Sequence, residues 1–205
     1  MHVRRIIERL TARRRTYTVF GRPPQHVAGE RDPDVRSYDE HSPPDADLVR
    51  MLHRHMGWLG GRRMLWYLRH GVAVLVAATS DKDLIAYGWL LKWQLVEREF
   101  WWLADDGVCM GPFWTNPLYR RRGWYRRLLL HSLAELRERF ARPPYIWARS
   151  DNTASIRVIE SVGFRPLGRH RVETYLNGLF RRHYALDRRQ AVEWRSPLPQ
   201  SRRPV

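Results

Sequence analysis

Cysteine is almost absent from this chain. Cys109 stands alone among 205 residues, so no disulfide can form within it. A lone cysteine fits a reducing compartment, and we expect a cytoplasmic protein. Lysine is nearly missing as well: of 37 basic residues, all but Lys82 and Lys92 are arginine. Such a skew follows genome composition as readily as function, and it counts for little as a nucleic-acid signature. Long apolar runs are lacking. The stretch Val72–Ala78 is far shorter than the roughly 20 residues a membrane-spanning helix needs. The N-terminus has no continuous apolar core of the kind a secretion signal carries. Acids are also in deficit, 21 against 37 bases, which leaves a formal net charge of +16. The surface therefore attracts polyanions: nucleic acid, anionic headgroups or phosphorylated small molecules.

What is present argues for a folded core. Hydrophobic residues make up 43% of the chain and ten are tryptophan, a composition unlike that of disordered segments. The length suits one domain with appendages. Residues 1–16 read as a basic amphipathic helix, with Val3, Ile6, Ile7 and Leu10 at helical spacing among arginines. Residues 2–15 have three readings: a helix packed on the domain, a peripheral contact with an anionic membrane, or a partner-binding helix. The domain covers 17–188, and 189–205 reads as a flexible basic tail.

Within the domain, Tyr17–Phe20 is a strand and 21–44 a loop rich in Pro, Gly and Asp. Ser42 caps a helix bearing Leu48, Met51, Leu52 and His55. His53 and His55, two apart, diverge on that helix and make a poor metal pair, so no metal is expected. A second helix covers Arg62–His70. Strands are expected at Val72–Thr79, Leu84–Trp93, Glu99–Leu103 and Val108–Thr115. Leu129, Leu133, Leu136 and Phe140 mark an amphipathic helix. A strand at Tyr145–Ala148, a helix at Asn152–Ser161 and strands at Phe164–Arg171 and Leu179–Leu186 complete the order. The fold class is α/β (α+β), a mixed, mostly antiparallel sheet flanked by helices.

One stretch concentrates the question of function. Asn116–Tyr125 reads NPLYRRRGWY. Taken alone it is either a solvated polyanion patch or a strand–turn–helix that closes on a phosphate. The second reading rests on unpaired N–H groups and a positive dipole at a helix start, with Gly123 allowing close backbone approach. Arg120, Arg121 and Arg122 add guanidinium forks. Downstream, Asn152–Phe164 reads NTASIRVIESVGF.

Together the two stretches resemble the motifs of the GNAT superfamily of acyl-CoA N-acyltransferases. One family motif is Arg or Gln, two residues, Gly, one residue, then Gly or Ala; the other is an Asn and a small residue opening an apolar helix that ends in Gly-Phe. The resemblance covers roughly 17–188 and implies a site for acetyl-CoA as acyl donor. Arg120, Arg121, Arg122, Gly123, Trp124 and Tyr125 would cradle the pyrophosphate. The strand Phe113, Trp114, Thr115 would splay from Tyr145–Ala148 to admit pantetheine. Asn152 would hold the pantetheine arm, with Ser155 near the sulfur.

Departures from the family pattern are specific. Tyr125 stands where the family has a small residue. Ile159 stands where many members have a proton-donating Tyr, and Cys109 and Trp147 stand where some have a carboxylate base. In lacking that Tyr while keeping the Ser of the Asn-x-x-Ser pattern, the chain is similar to the ribosomal-protein N-terminal acetyltransferases, and Tyr175–Gly178 also resembles a segment of that subgroup. That similarity implies Ser155 as proton donor and Glu173, beside the matched Thr174, as candidate base. The implied acceptor is an amine, on a small molecule or a protein N-terminus. Alternatives are a catalytically inactive GNAT-fold protein that binds CoA or a partner, and, least favoured, a nucleic-acid-binding module. Monomer and homodimer both remain open.

Overall fold

A computed structural model describes residues 13–23, 29–80, 83–103, 106–140, 142–175 and 180–188. Among these residues nine strands form a single sheet. They are β1 (Arg13–Gly21), β2 (Arg36–Tyr38), β3 (Ala73–Thr79), β4 (Leu84–Lys92), β5 (Val108–Met110), β6 (Trp114–Thr115), β7 (Pro144–Arg149), β8 (Arg165–Tyr175) and β9 (Phe180–Arg188). Among the described residues four helices flank them: α1 (Ala46–Met56), α2 (Trp58–Arg69), α3 (Trp124–Arg139) and α4 (Thr153–Ser161). The strand order is β2-β3-β4-β5-β7-β1-β8-β9, with β6 pairing only β4. Every pairing is antiparallel except β5 with β7. This is the mixed, mostly antiparallel sheet that the sequence implies.

Side-chain alternation divides the core between the two sheet faces. One face carries Val19, Leu75, Trp89, Leu91 and Tyr145 and receives Leu48 and Leu52 from α1 and Met64, Leu65 and Leu68 from α2. The other carries Phe20, Val74, Leu90, Met110 and Ile146 and receives Leu129, Leu133 and Leu136 from α3 and Ile159 from α4.

Several elements differ from expectation, each for a local reason. Strand β1 is longer than Tyr17–Phe20 and begins at Arg13, so the N-terminal helix expected over 1–16 does not include 13–16; residues 1–12 lie outside the described residues. The strand inserts between β7 and β8, and that pairing holds its arginine-rich start extended. The cap of α1 is Asp45, whose carboxylate accepts from Leu48 N–H at 2.8 Å, and not Ser42. Pro44 disfavours a helical Pro43, which delays the start. Helix α2 begins at Trp58, directly after Gly57 at φ 73°. It therefore starts four residues before the expected Arg62 and includes Gly60-Gly61, where Gly61 lets α2 approach His53 of α1. The strand expected at Glu99–Leu103 is instead a series of turns: Phe100 N–H bonds to Val96 C=O and Leu103 N–H to Phe100 C=O. The expected loop 21–44 contains β2, an edge strand on β3. The expected tail, 189–205, lies outside the described residues.

Candidate active site

The site begins with a pairing failure in the middle of the sheet. Strand β5 lies between β4 and β7, pairing Met110 with Leu90 on one side and Ile146 on the other. The chain then bulges through Gly111, cis-bonded Pro112 and Phe113. When it rejoins β4, Thr115 faces Ala86 and Trp114 faces Tyr87, so five steps along one strand lie opposite four along the other. From there β6 stays with β4 and has no pairing with β7. Residues Trp147–Arg149 of β7 thus face an opening, held on their far side by Val19, Thr18 and Tyr17 of β1. The bulge is anchored by Phe113, whose ring occupies the space over Gly88. A Cβ there would stand 2.1 Å from Phe113 Cε1.

A cavity of about 780 Å³ fills this opening and extends to the start of α3. Phe113, Trp114, Thr115, Arg120, Arg121, Gly123, Trp124, Tyr125, Asn152 and Ser155 all line it. Of the predicted site residues, Arg122 and Glu173 do not. Arg122 lies over the Tyr119 ring, 5.4 Å from its centroid. Tyr17, Arg149 and Arg126 also line the cavity from outside both motifs, as does Trp147 of the strand expected beside pantetheine. Tyr17 in particular comes from β1, distant in sequence from every motif.

The end of the cavity at α3 suits an anion. Gly123 has φ 78° and Arg121 φ 61°, so the turn into α3 has two left-handed residues separated by one. That alternation curves successive N–H groups into a concave nest. Arg127 N–H is the first within α3 to bond back, to Gly123 C=O at 3.1 Å, so the amides of the first turn have no intrahelical partner and lie at the cavity's edge. A Cβ on Gly123 meets nothing within 4 Å; the constraint there is conformational, and the space beside the backbone is open. Arg120, Arg121, Arg126 and Arg149 line the cavity, and none of its described lining residues is acidic. A pyrophosphate fits this donor set.

Tyr125 does not obstruct the turn. Its ring packs edge-on against Phe113, centroids 5.6 Å apart, and burial pushes its phenol well above the ordinary range. Asn152 caps α4: its side-chain oxygen accepts from Ser155 N–H at 3.2 Å, which fixes Ser155 in the first turn at the cavity wall.

Glu173 is a correction. It sits on β8 paired opposite Arg14, and its carboxylate is committed to Tyr175 OH at 2.5 Å, Arg14 at 3.2 Å and Arg171 at 3.4 Å. The Tyr175 hydrogen bond and then the two arginines hold its pKa below the usual range, which makes it a poor proton acceptor. Cys109 is fully buried and its thiol is pushed well up by burial, so it is no nucleophile. Among the described residues no group of three or more His, Cys, Asp or Glu could hold a metal ion. A titratable group that pattern reading missed is His55 of α1. Its ring lies 4.1 Å from that of Trp114 on the cavity wall, and Trp114 in turn stacks on Tyr87. Desolvation, then the charge of Arg54, lowers the His55 pKa and so favours the neutral imidazole.

Comparison with known proteins agrees with this geometry. Residues 35–164 match the sequence profile of the Acetyltransferase (GNAT) family, and the chain belongs to that family. No curated protein matches the sequence at a significant level. Among solved structures, a putative GNAT-family acetyltransferase from Novosphingobium aromaticivorans superposes with a TM-score of 0.58 at 20% identity, over 78% of this chain and 63% of that one. A GNAT-family acetyltransferase from Colwellia psychrerythraea gives 0.54 at 14% identity, over 80% and 56%. A tandem GNAT protein from the clavulanic acid biosynthesis pathway gives 0.53 at 18%, over 74% and 50%. At these identities the likeness is one of fold, and the chain spans roughly half to two thirds of the length of these neighbours.

Proposed function

We propose that this protein moves an acetyl group from acetyl-CoA to a primary amine by direct attack. One observation carries the reading: an acid-free cavity runs from the parted strands to a glycine-turned helix start lined by arginine. Membership of an acetyltransferase family supports it.

In this reading the pyrophosphate sits on the amides of Arg121–Tyr125, and pantetheine lies along β7 where β6 has turned away. The neutral amine attacks the thioester carbonyl carbon. Phe113 N–H lies in the bulge, outside the β4 ladder, and polarises the carbonyl oxygen. The C–S bond breaks as the C–N bond forms. Ser155 OH passes a proton to the departing sulfur and regains one from water, and His55, directly or through water, takes the proton the nitrogen sheds. Orientation of amine and thioester in one cleft supplies much of the acceleration.

The test is calorimetric titration with acetyl-CoA followed by release of free CoA thiol across amines that include peptide N-termini. Binding with turnover of at least one amine supports the proposal. Absence of binding overturns it; binding without turnover of any amine favours a catalytically silent CoA-binding protein. For the base, His55→Gln should lower kcat by roughly 10- to 100-fold and remove the acid limb of its pH profile. An unchanged profile removes His55 from that role.

A further inference from the structure

Helix α2 presents a second, unrelated surface. At 100° per residue, Trp58, Arg69, Arg62, Trp66, Leu59 and Arg63 fall within an arc of roughly 140°. All are exposed: Trp58 is 61%, Leu59 75% and Trp66 52% accessible. The opposite arc, with Gly61, Met64, Leu65 and Leu68, is buried against the sheet. The helix therefore has large apolar groups on both sides, and its outer side alternates them with guanidinium. No acid occurs anywhere in α2.

We propose that this outer face of α2 is a docking surface for an anionic phospholipid bilayer. The inference goes beyond the transfer reaction and does not depend on it. Tryptophan and leucine gain by entering the interfacial layer, while arginines lying between them reach lipid phosphates. Charge complementarity selects this occupant over a second copy of the chain, which would set arginine against arginine. Nucleobases are the poorer match because each indole already carries a partner on one face. The Arg62 guanidinium lies over Trp58 at 5.1 Å, and the ring of His70 stacks on Trp66 at 4.0 Å. Leu59 has nothing to offer a stacked base.

The test is co-sedimentation of the full chain with extruded vesicles of phosphatidylcholine alone and of phosphatidylcholine with one third phosphatidylglycerol. With net charge +16 some binding to anionic vesicles is generic, so paired variants separate face from charge. Trp58→Ala with Trp66→Ala should weaken partitioning to the anionic vesicles by about tenfold or more. Arg62→Gln with Arg63→Gln should weaken it by about fivefold per arginine. Arg157→Gln with Arg165→Gln removes the same charge from exposed positions elsewhere and should change partitioning less than about twofold. Circular dichroism of each variant should match the parent, since every changed side chain is exposed. Equal loss in both arginine pairs, or no loss in the tryptophan pair, overturns the proposal. So does duplex DNA binding, or a dimer in sedimentation velocity, that disappears in the tryptophan pair while vesicle binding persists.

Discussion

Two sets of arginines lie on one stretch of chain and do opposite things. Arg120, Arg121 and Arg122, before α3, have no carboxylate partner among the described residues. Arg127 and Arg139, on the outer side of α3, are bound to acids of the 29–42 segment. Arg127 holds Asp32 at 2.5 Å and Asp34 at 2.5 Å, and Arg139 holds Asp39 as well as Glu135 at 2.5 Å. Between them His131 accepts from Asp32 N–H at 3.1 Å and meets Ser37 Oγ at 3.0 Å. Fully buried Glu135 also meets Arg31 at 2.7 Å. The second set fastens a connecting segment to α3, while the first leaves positive charge unspent beside unpaired amides. Residue type does not separate the two; the presence of a carboxylate across the gap does.

The sharpest way to break this comparison is Gly123→Val. A β-branched side chain strongly disfavours φ 78°, so the turn must reform and the amides lose their aim. We expect CoA affinity to fall by about 100-fold or more in calorimetry, the anion site being built from those amides. A dissociation constant within twofold of the parent would falsify the pyrophosphate assignment. Arg127→Ala should act the other way round. It leaves Asp32, itself mostly buried, without its ion-pair partner and should cost about 2 kcal/mol, or about 4–8 °C in Tm. CoA affinity should stay within about threefold of the parent, because the residue serves the fastening set.

Acid should loosen the same region. Asp32 and Asp39 are held below the ordinary carboxylate range, chiefly by hydrogen bonds from Arg127 and Arg139. Their contribution is complete above the unfolded value of about 3.9 and is lost as pH falls through the folded values. Two histidines begin the decline earlier. Burial lowers His131, and it lowers His170 to about 4 with the help of neighbouring His183. Below about pH 6.5 the unfolded chain takes up those protons and the folded one resists. Stability from urea titrations should therefore fall from about pH 6.5 downward, and His170→Phe should flatten the slope between about 6.5 and 4. A flat profile above pH 4 in the parent would remove the histidines from this account. The smallest effect belongs to Arg121→Ala. Losing one exposed cavity arginine should weaken CoA about five- to tenfold with Tm unchanged. A loss as large as that of Gly123→Val would mean that charge, more than backbone geometry, makes the site.

Much of this was legible in the sequence because it is local. The spacing of Leu129, Leu133 and Leu136 marks α3, Gly123 marks its turn and Asn152 marks the start of α4, all within a few residues of what they control. The errors came where distant partners decide. Arg13–Thr16 look helical with the residues before them, but two neighbouring strands hold them extended. Glu99–Leu103 has strand composition, but its N–H groups close turns locally and the side chains of Phe100, Trp102 and Leu103 go to the core. Glu173 is only the neighbour of the motif-matched Thr174, and its three partners come from β1 and from β8 itself.

The sequence by itself determined the kind of protein. A glycine that must turn left-handed before a helix, and an asparagine that caps the next, are requirements of short-range stereochemistry and can be read without neighbours. The tertiary structure alone decided which groups meet. It brought Tyr17 from β1 to the cavity wall and laid His55 against Trp114. It tied Glu173 to arginines away from the cavity and left the tryptophans of α2 in solvent. The physical reason is that proximity between strands and helices far apart in the chain is set by sheet order and register, and no local pattern encodes it.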